Sequence, residues 1–300
     1  MGLGSKVFKK YRSLQVRRLI KKGKNNIKQD YELKKYLLKN KKFKNCHKGE
    51  RCFIVGNGPS LNDEDLSSLS NEIVFTVNKI ANHPQFDSIK TNYHFWADPS
   101  FFKLSPDKEE DRELIKQMFS VKTSSNNPIC FFPEFSRNCI KAFNVEENLD
   151  VYIYYANIPF NDGENSEIDF ANVTFGFQTV VQFAIAMAIY MGFKEIYLLG
   201  CDTTGIISTI QACLNEEVTH YSYSVSDSEK KFLKNMAESR DFGIESDFLG
   251  WARILHLYRE LYRYCNNRDI KLINCSSKTI IDSIPRASLK DVLNEKVDSQ

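Results

Sequence analysis

The chain has eight cysteines but no Cys-x-x-Cys pair and no cluster of cysteine with histidine. Cys46, Cys52, Cys130, Cys139, Cys201, Cys213, Cys265 and Cys275 are scattered, several of them in apolar runs. That spacing excludes a zinc ribbon or a disulfide framework and predicts buried, reduced thiols. No apolar run reaches eighteen residues, so no membrane-spanning helix is expected. The amino end is basic but lacks a continuous apolar core and a small-residue cleavage site, so no secretory signal is expected either.

Acidic residues are scarce at one end. Residues 1–51 hold 18 Lys/Arg against Asp30, Glu32 and Glu50, whereas the rest holds 23 Lys/Arg against 35 Asp/Glu. A basic segment, 1–48, thus precedes an acidic body, 49–300. Within it, Val7, Phe8, Tyr11, Leu14, Leu19 and Ile20 recur at helical spacing over 5–22. A second helical piece covers 30–43, with Tyr31, Leu33, Tyr36, Leu37 and Leu38. A basic amphipathic helix of this kind suits an anionic membrane surface, here through residues 5–44. The bland alternative is a solvated helix packed on the body or on a partner subunit. Nucleic acid is not an expected partner, because the body is acidic and no recognition motif accompanies the basic segment.

From residue 51 apolar runs alternate with helical patterns. Strands are predicted at 51–56, 73–78, 92–97, 128–132, 151–155, 195–200 and 270–274. Helices are predicted at 63–70, 109–120, 135–143, 176–191 and 247–266. This alternation predicts an α/β fold, Rossmann-like, with a mostly parallel sheet and helices on both faces. Such sheets bind ligands beyond the carboxyl ends of their strands. The residues there are Gly56-Asn57-Gly58, Asn78-Lys79, Asp98-Pro99-Ser100 and Gly200-Cys201-Asp202-Thr203-Thr204. The two glycines let the first loop turn sharply, and Pro59 suits a first helical turn. The N–H groups of that turn make a natural phosphate site; an ordinary strand-to-helix turn is the alternative. The stretch 203–246 is irregular and polar and reads as a lid over the site or as a plain surface excursion.

Several of these blocks also match a family pattern. Gly56-Asn57-Gly58-Pro59-Ser60-Leu61 resembles the opening of bacterial family 42 sialyltransferases. It also resembles the related domain of unknown function 115, which includes archaeal hydroxymethylpterin pyrophosphokinase-like proteins. Val77-Asn78, Asp98-Pro99-Ser100-Phe101-Phe102, Val173-Thr174-Phe175-Gly176 and Gly192 to Asp202 follow in the same order. The resemblance covers about residues 51–285. It implies a metal-independent, inverting glycosyltransferase with a nucleotide-binding α/β domain, a small lid and no cofactor. The donor it implies is a nucleotide sugar, first a CMP-activated nonulosonic acid, and the acceptor a glycan or lipid-linked glycan. Departures from the pattern include Asp98 for Asn, Phe175 for a small hydroxyl residue, and Thr203-Thr204 for an aromatic pair.

Together these readings give the expected site. Gly56, Asn57, Gly58, Ser60, Asn78, Ser100, Thr174, Phe175, Gly176, Asp202, Thr203 and Thr204 are expected to bind the donor. Tyr221 and Tyr223 are expected at the leaving phosphate. The expected base is His220, whose imidazole accepts a proton near neutral pH, or Asp98; for Asp98 the alternative is a turn cap. No metal ligand set is expected. His94 lies in an apolar strand and reads as packed structure. An ATP/Mg-dependent pyrophosphokinase-like transferase and a non-catalytic nucleotide-binding scaffold are the competing readings. A homo-oligomer and a cytoplasmic location at the inner face of the membrane complete the expectations.

Overall fold

The structure is a computed structural model. It describes residues 3–161, 163, 165–214, 222, 224 and 243–294, and for 3–13, 212 and 213 the main chain alone. Among the described residues, eight strands form one parallel sheet: β1 (Arg51–Val55), β2 (Val74–Val77), β3 (Thr91–Phe95), β4 (Ile129–Pro133), β5 (Asp150–Pro159), β6 (Val173–Gly176), β7 (Glu195–Leu199) and β8 (Lys271–Asn274). Their order is β6-β5-β4-β3-β2-β1-β7-β8. The chain steps outward from β1 to β6, then returns across the sheet to lay β7 on the other side of β1. This reversal puts the switch point of the sheet between the carboxyl ends of β1 and β7, the place where open α/β sheets commonly take a ligand.

The strands read as continuous apolar runs because both faces of a parallel sheet are covered. Cys52, Phe53, Ile54 and Val55 of β1 and Ile196, Tyr197, Leu198 and Leu199 of β7 are fully buried. The return crossing is made by α6 (Val180–Met191), apolar on nearly every side and packed over β1, β2 and β3. A capping box starts it: Thr179 accepts from the Gln182 N–H, and the Gln182 side chain accepts from the Thr179 N–H. Helix α8 (Ile244–Asn266) packs on α6 and on α7 (Gly205–Cys213).

Several expectations need correction. The helix predicted at 63–70 is two short 3-10 turns, Pro59–Asp63 and Leu66–Leu69. The helix predicted from 176 begins at Val180, and β6 precedes it. Part of the stretch read as irregular is helical, namely α7. The apolar residues of the basic segment divide: Leu33 and Leu37 are buried, Leu14, Tyr31 and Leu38 are exposed, and the side chains of Val7, Phe8 and Tyr11 lie outside the described residues. Helices α1 (Leu3–Gln29) and α2 (Tyr31–Lys39) lie against β5 and β6, and Val16, Ile27, Leu33, Leu37 and Phe43 join the common core. Burying a side chain such as Leu33 or Leu37 contributes about 1.5–3 kcal/mol. Buried Asn40 fixes the join by donating to the carbonyls of Ile153 and Phe170. No described helix is long and apolar enough to cross a membrane.

Candidate active site

The loop after β1 meets the loop after β7 at van der Waals limits. The Gly56 N–H donates to Leu199 O, and the Gly58 N–H donates to Gly200 O, both at 2.8 Å. A Cβ on Gly56 would lie 2.5 Å from Gly200 O, and one on Gly58 would lie 2.5 Å from Asp202 Cγ. Any side chain at either position would push the two loops apart. Gly200 itself has φ +58°, the left-handed region, and Leu61 fills the space where its side chain would go.

Asp202 is the hinge of this junction. Its Oδ2 accepts from the Ser60 N–H at 2.8 Å, and its Oδ1 accepts from the Ser60 hydroxyl. The carboxyl is buried, and burial pushes its pKa upward against the pull of the two Ser60 hydrogen bonds. The Leu61 N–H donates to Gly58 O, and Pro59 has no N–H. The N–H groups of Gly56, Gly58, Ser60 and Leu61 are therefore used inside the protein. This corrects the expectation of a free phosphate cradle: Asp202 already occupies the anion position at the turn. The glycines are required for close approach of the two loops.

One strand further along, polar atoms are left over. The Asn57 amide donates to Val77 O at 3.3 Å, which ties β1 to β2, while its Oδ1 is buried with no partner. Asn78 sits at φ +47°, a left-handed conformation that asparagine tolerates, and its Oδ1 is likewise unpartnered. The Ser222 N–H donates to Asn57 O at 3.0 Å, and the buried Ser222 hydroxyl has no partner. Ser222 is thus a residue of the predicted lid that lies at the end of β1. His220, Tyr221 and Tyr223 lie outside the described residues.

A wall rises on the far side. β5 pairs with β4 over Asp150–Tyr154 and with β6 over Tyr155–Pro159, so its second half and β6 extend beyond the carboxyl edge of β4. Thr174 lies in that wall, buried, with an unpartnered hydroxyl. Phe175 points into the core, edge-on to Phe160 at 5.3 Å, so its expected donor contact is corrected to packing. Gly176 is the last residue of β6. Asp98 is exposed, and its Oδ1 accepts from the Ser100 N–H at 2.9 Å, capping the short 3-10 turn Pro99–Phe102. The cap reading of Asp98 is the one observed, and the main chain of Ser100 is engaged with it.

The buried hydroxyl of Tyr258 lies 3.3 Å from Thr179 Oγ1. It joins α8 to the start of α6. Thr203 has φ +57°, a conformation that β-branched residues rarely adopt. Thr204 leads directly into α7, its carbonyl accepting from the Ile207 N–H. Beneath the rim, His94 is fully buried, with Nδ1 2.7 Å from Thr76 Oγ1. Burial pushes its pKa down to about 3, against the main chain of Asn78, so the ring is neutral.

The family model described as 6-hydroxymethylpterin diphosphokinase MptE-like matches residues 19–206. The chain belongs to the MptE-like family. No curated protein matches it. Among solved structures, it is similar to the sialyltransferase CST-II in complex with a trisaccharide acceptor and CMP, at 18% identity and a TM-score of 0.41, covering 79% of this chain and 86% of that one. It is also similar to CstII from Campylobacter jejuni with the substrate analogue cytidine-5'-monophosphate (19%, TM-score 0.42, 80% and 86% covered). The monofunctional alpha-2,3-sialyltransferase Cst-I from Campylobacter jejuni is a third such structure (16%, TM-score 0.41, 79% and 80% covered).

Proposed function

We propose that this MptE-like chain transfers a sugar from a nucleoside monophosphate-linked donor, first a CMP-activated nonulosonic acid, to a glycan or lipid-linked acceptor. The observation that carries this reading is the contrast between used N–H groups and free amide oxygens at the crevice. A polyphosphate needs several N–H groups or cations aimed at it. Here the Ser60 N–H is held by a buried carboxylate, which would repel a chain of phosphates. A donor with a single phosphate asks less of this loop. The free Oδ1 atoms of Asn57 and Asn78 suit the exocyclic amine of a base or a ribose hydroxyl, both of them donors.

In this reading the acceptor hydroxyl gives its proton to a base as its oxygen attacks the anomeric carbon. The bond from that carbon to the phosphate oxygen breaks, and the nucleoside monophosphate leaves. We assign the base to His220, with Asp98 as the second candidate. Thr203, Thr204, Tyr221 and Tyr223 are assigned to the departing phosphate.

The family description favours a second reading, diphosphate transfer from ATP with Mg²⁺. The acidic strand ends expected to hold that metal are Asp98 and Asp202. They follow β3 and β7, three strand spacings or about 14 Å apart, and both oxygens of Asp202 are engaged by Ser60. That spacing of their strands tells against one ion held by both.

A thermal-shift panel of CMP, CDP, UDP, GDP and ATP, each with Mg²⁺ or EDTA, separates the two. A ligand at about 100 times its Kd stabilises the native state by roughly 2.7 kcal/mol. The expected result is a shift with CMP that survives EDTA and is lost in Asn78→Gly, which keeps the left-handed backbone and removes the amide. A shift with ATP that requires Mg²⁺ sinks the sugar-transfer reading. His220→Asn and Asp98→Asn then identify the base: one should abolish transfer while leaving the CMP shift intact.

A further inference from the structure

Helix α1 presents two faces of opposite character. Val16, Gly23 and Ile27 are buried against the sheet edge, with Gly23 in contact with Val173 at the start of β6. Arg17, Arg18, Lys21, Lys22, Lys24 and Lys28 are exposed on the opposite side. None of the six is paired with an acidic side chain among the described residues. The nearby acids are engaged elsewhere, Asp30 with Arg137 at 2.7 Å and Glu32 with Lys141 at 2.7 Å. The whole helix, 27 residues, contains no Asp or Glu.

This arrangement works against the helix itself. Arg17 and Lys21, Arg18 and Lys22, and Lys24 and Lys28 are like-charge pairs four residues apart, which destabilise a helix. Its first turn has no acidic residue to complement the positive end of the dipole, and lysines follow from Lys6. A helix that only had to stay solvated on a net acidic body would accept interspersed glutamates at no loss. Val16 and Ile27 are already docked on the sheet, and among the described side chains of α1 the exposed large apolar one is Leu14. What remains is a cationic face whose described members, Arg17 to Lys28, span about 17 Å at a rise of about 1.5 Å per residue.

We propose that this face holds the protein flat against an anionic phospholipid surface, through charge alone and with α1 still docked on the sheet. The geometry favours a membrane over a nucleic acid: the cations lie along one straight, convex helix, with no groove to track a backbone and no exposed aromatic side chain among them to stack on bases. This inference stands apart from the identity of the donor.

The test is co-sedimentation of the full chain with vesicles of phosphatidylcholine alone and of phosphatidylcholine with phosphatidylglycerol, over a range of salt. Binding is expected only to the anionic vesicles, and added salt should weaken it. Replacing all six cations with glutamine should weaken binding about a hundredfold or more, with the melting temperature unchanged or slightly raised. Replacing the four lysines with arginine should leave binding intact. Equal binding to neutral vesicles would overturn the proposal, as would undiminished binding of the glutamine variant. Preferential binding of the same face to RNA or DNA, or a low-salt dimer that buries it, would assign the face to those occupants instead.

Discussion

The floor and the rim of the crevice are built from the same kind of residue and behave oppositely. On the floor, between β1 and β7, the N–H groups of Gly56, Gly58, Ser60 and Leu61 and the carboxyl of Asp202 are taken up within the protein. On the rim, at Asn57, Asn78 and Ser222, side-chain oxygens are buried without a partner. Buried polar atoms are normally satisfied, so the orphans need a reason and the closed network does not. The difference fits a floor that is architecture and a rim that contacts the ligand in the proposed function. Polar segments that look alike as strand ends therefore differ in how their groups are satisfied.

The strongest way to break this division is to crowd the floor. Gly58→Ala sets a methyl 2.5 Å from Asp202 Cγ and 2.7 Å from Gly200 O. It should cost about 3 kcal/mol or more in urea unfolding, and a cost under about 1 kcal/mol would mean that the floor is loose. Acid probes the layer beneath the rim. His94 keeps a neutral ring down to about pH 3 in the folded protein, whereas the unfolded chain takes up a proton near 6.5. Stability should therefore fall as the pH drops from 6.5 toward 3, by about 1.4 kcal/mol per pH unit for this group. Comparing wild type with His94→Gln isolates the effect; identical acid slopes would remove His94 from the account.

Asp202→Asn sharpens the comparison. It turns an amide toward two Ser60 donors and should cost about 2 kcal/mol, yet leave the nucleotide-induced shift at the rim in place. Loss of that shift at unchanged stability would move Asp202 from architecture to ligand contact. The Asn78→Gly variant is its mirror image, with little stability change and no nucleotide response. The smallest effect is expected at Thr203. Asparagine tolerates the left-handed region better than a β-branched residue, so Thr203→Asn should gain about 0.5 kcal/mol. A melting curve that shifts down instead would show that the threonine side chain contributes more than the backbone strain costs.

Much of the fold was legible along the chain. β1, β7 and α8 stand out because long apolar runs and helical stripes need no partner to be recognised. β6 did not stand out: four residues, Val173–Gly176, lie four residues before α6, and neither period is established over so short a span. α7 was hidden because its isoleucines carry weak helical preference and several face solvent. The basic segment was recognised as helical and amphipathic, but not which surface its apolar side would meet.

The candidate site divides in the same way. The sequence alone determined which residues end the strands, that they are small or amide-bearing, and that two glycines must lie in the first loop. Those properties depend on neighbours along the chain. Only the tertiary structure decided that Ser60 and Asp202, 142 residues apart, satisfy each other, that Tyr258 reaches Thr179, and that Asn57 and Asn78 are left with free oxygens. Hydrogen bonding is settled by which strands end side by side. The order that seats β7 next to β1 is fixed by packing across the whole sheet, through α6, and no local stretch of the sequence encodes it.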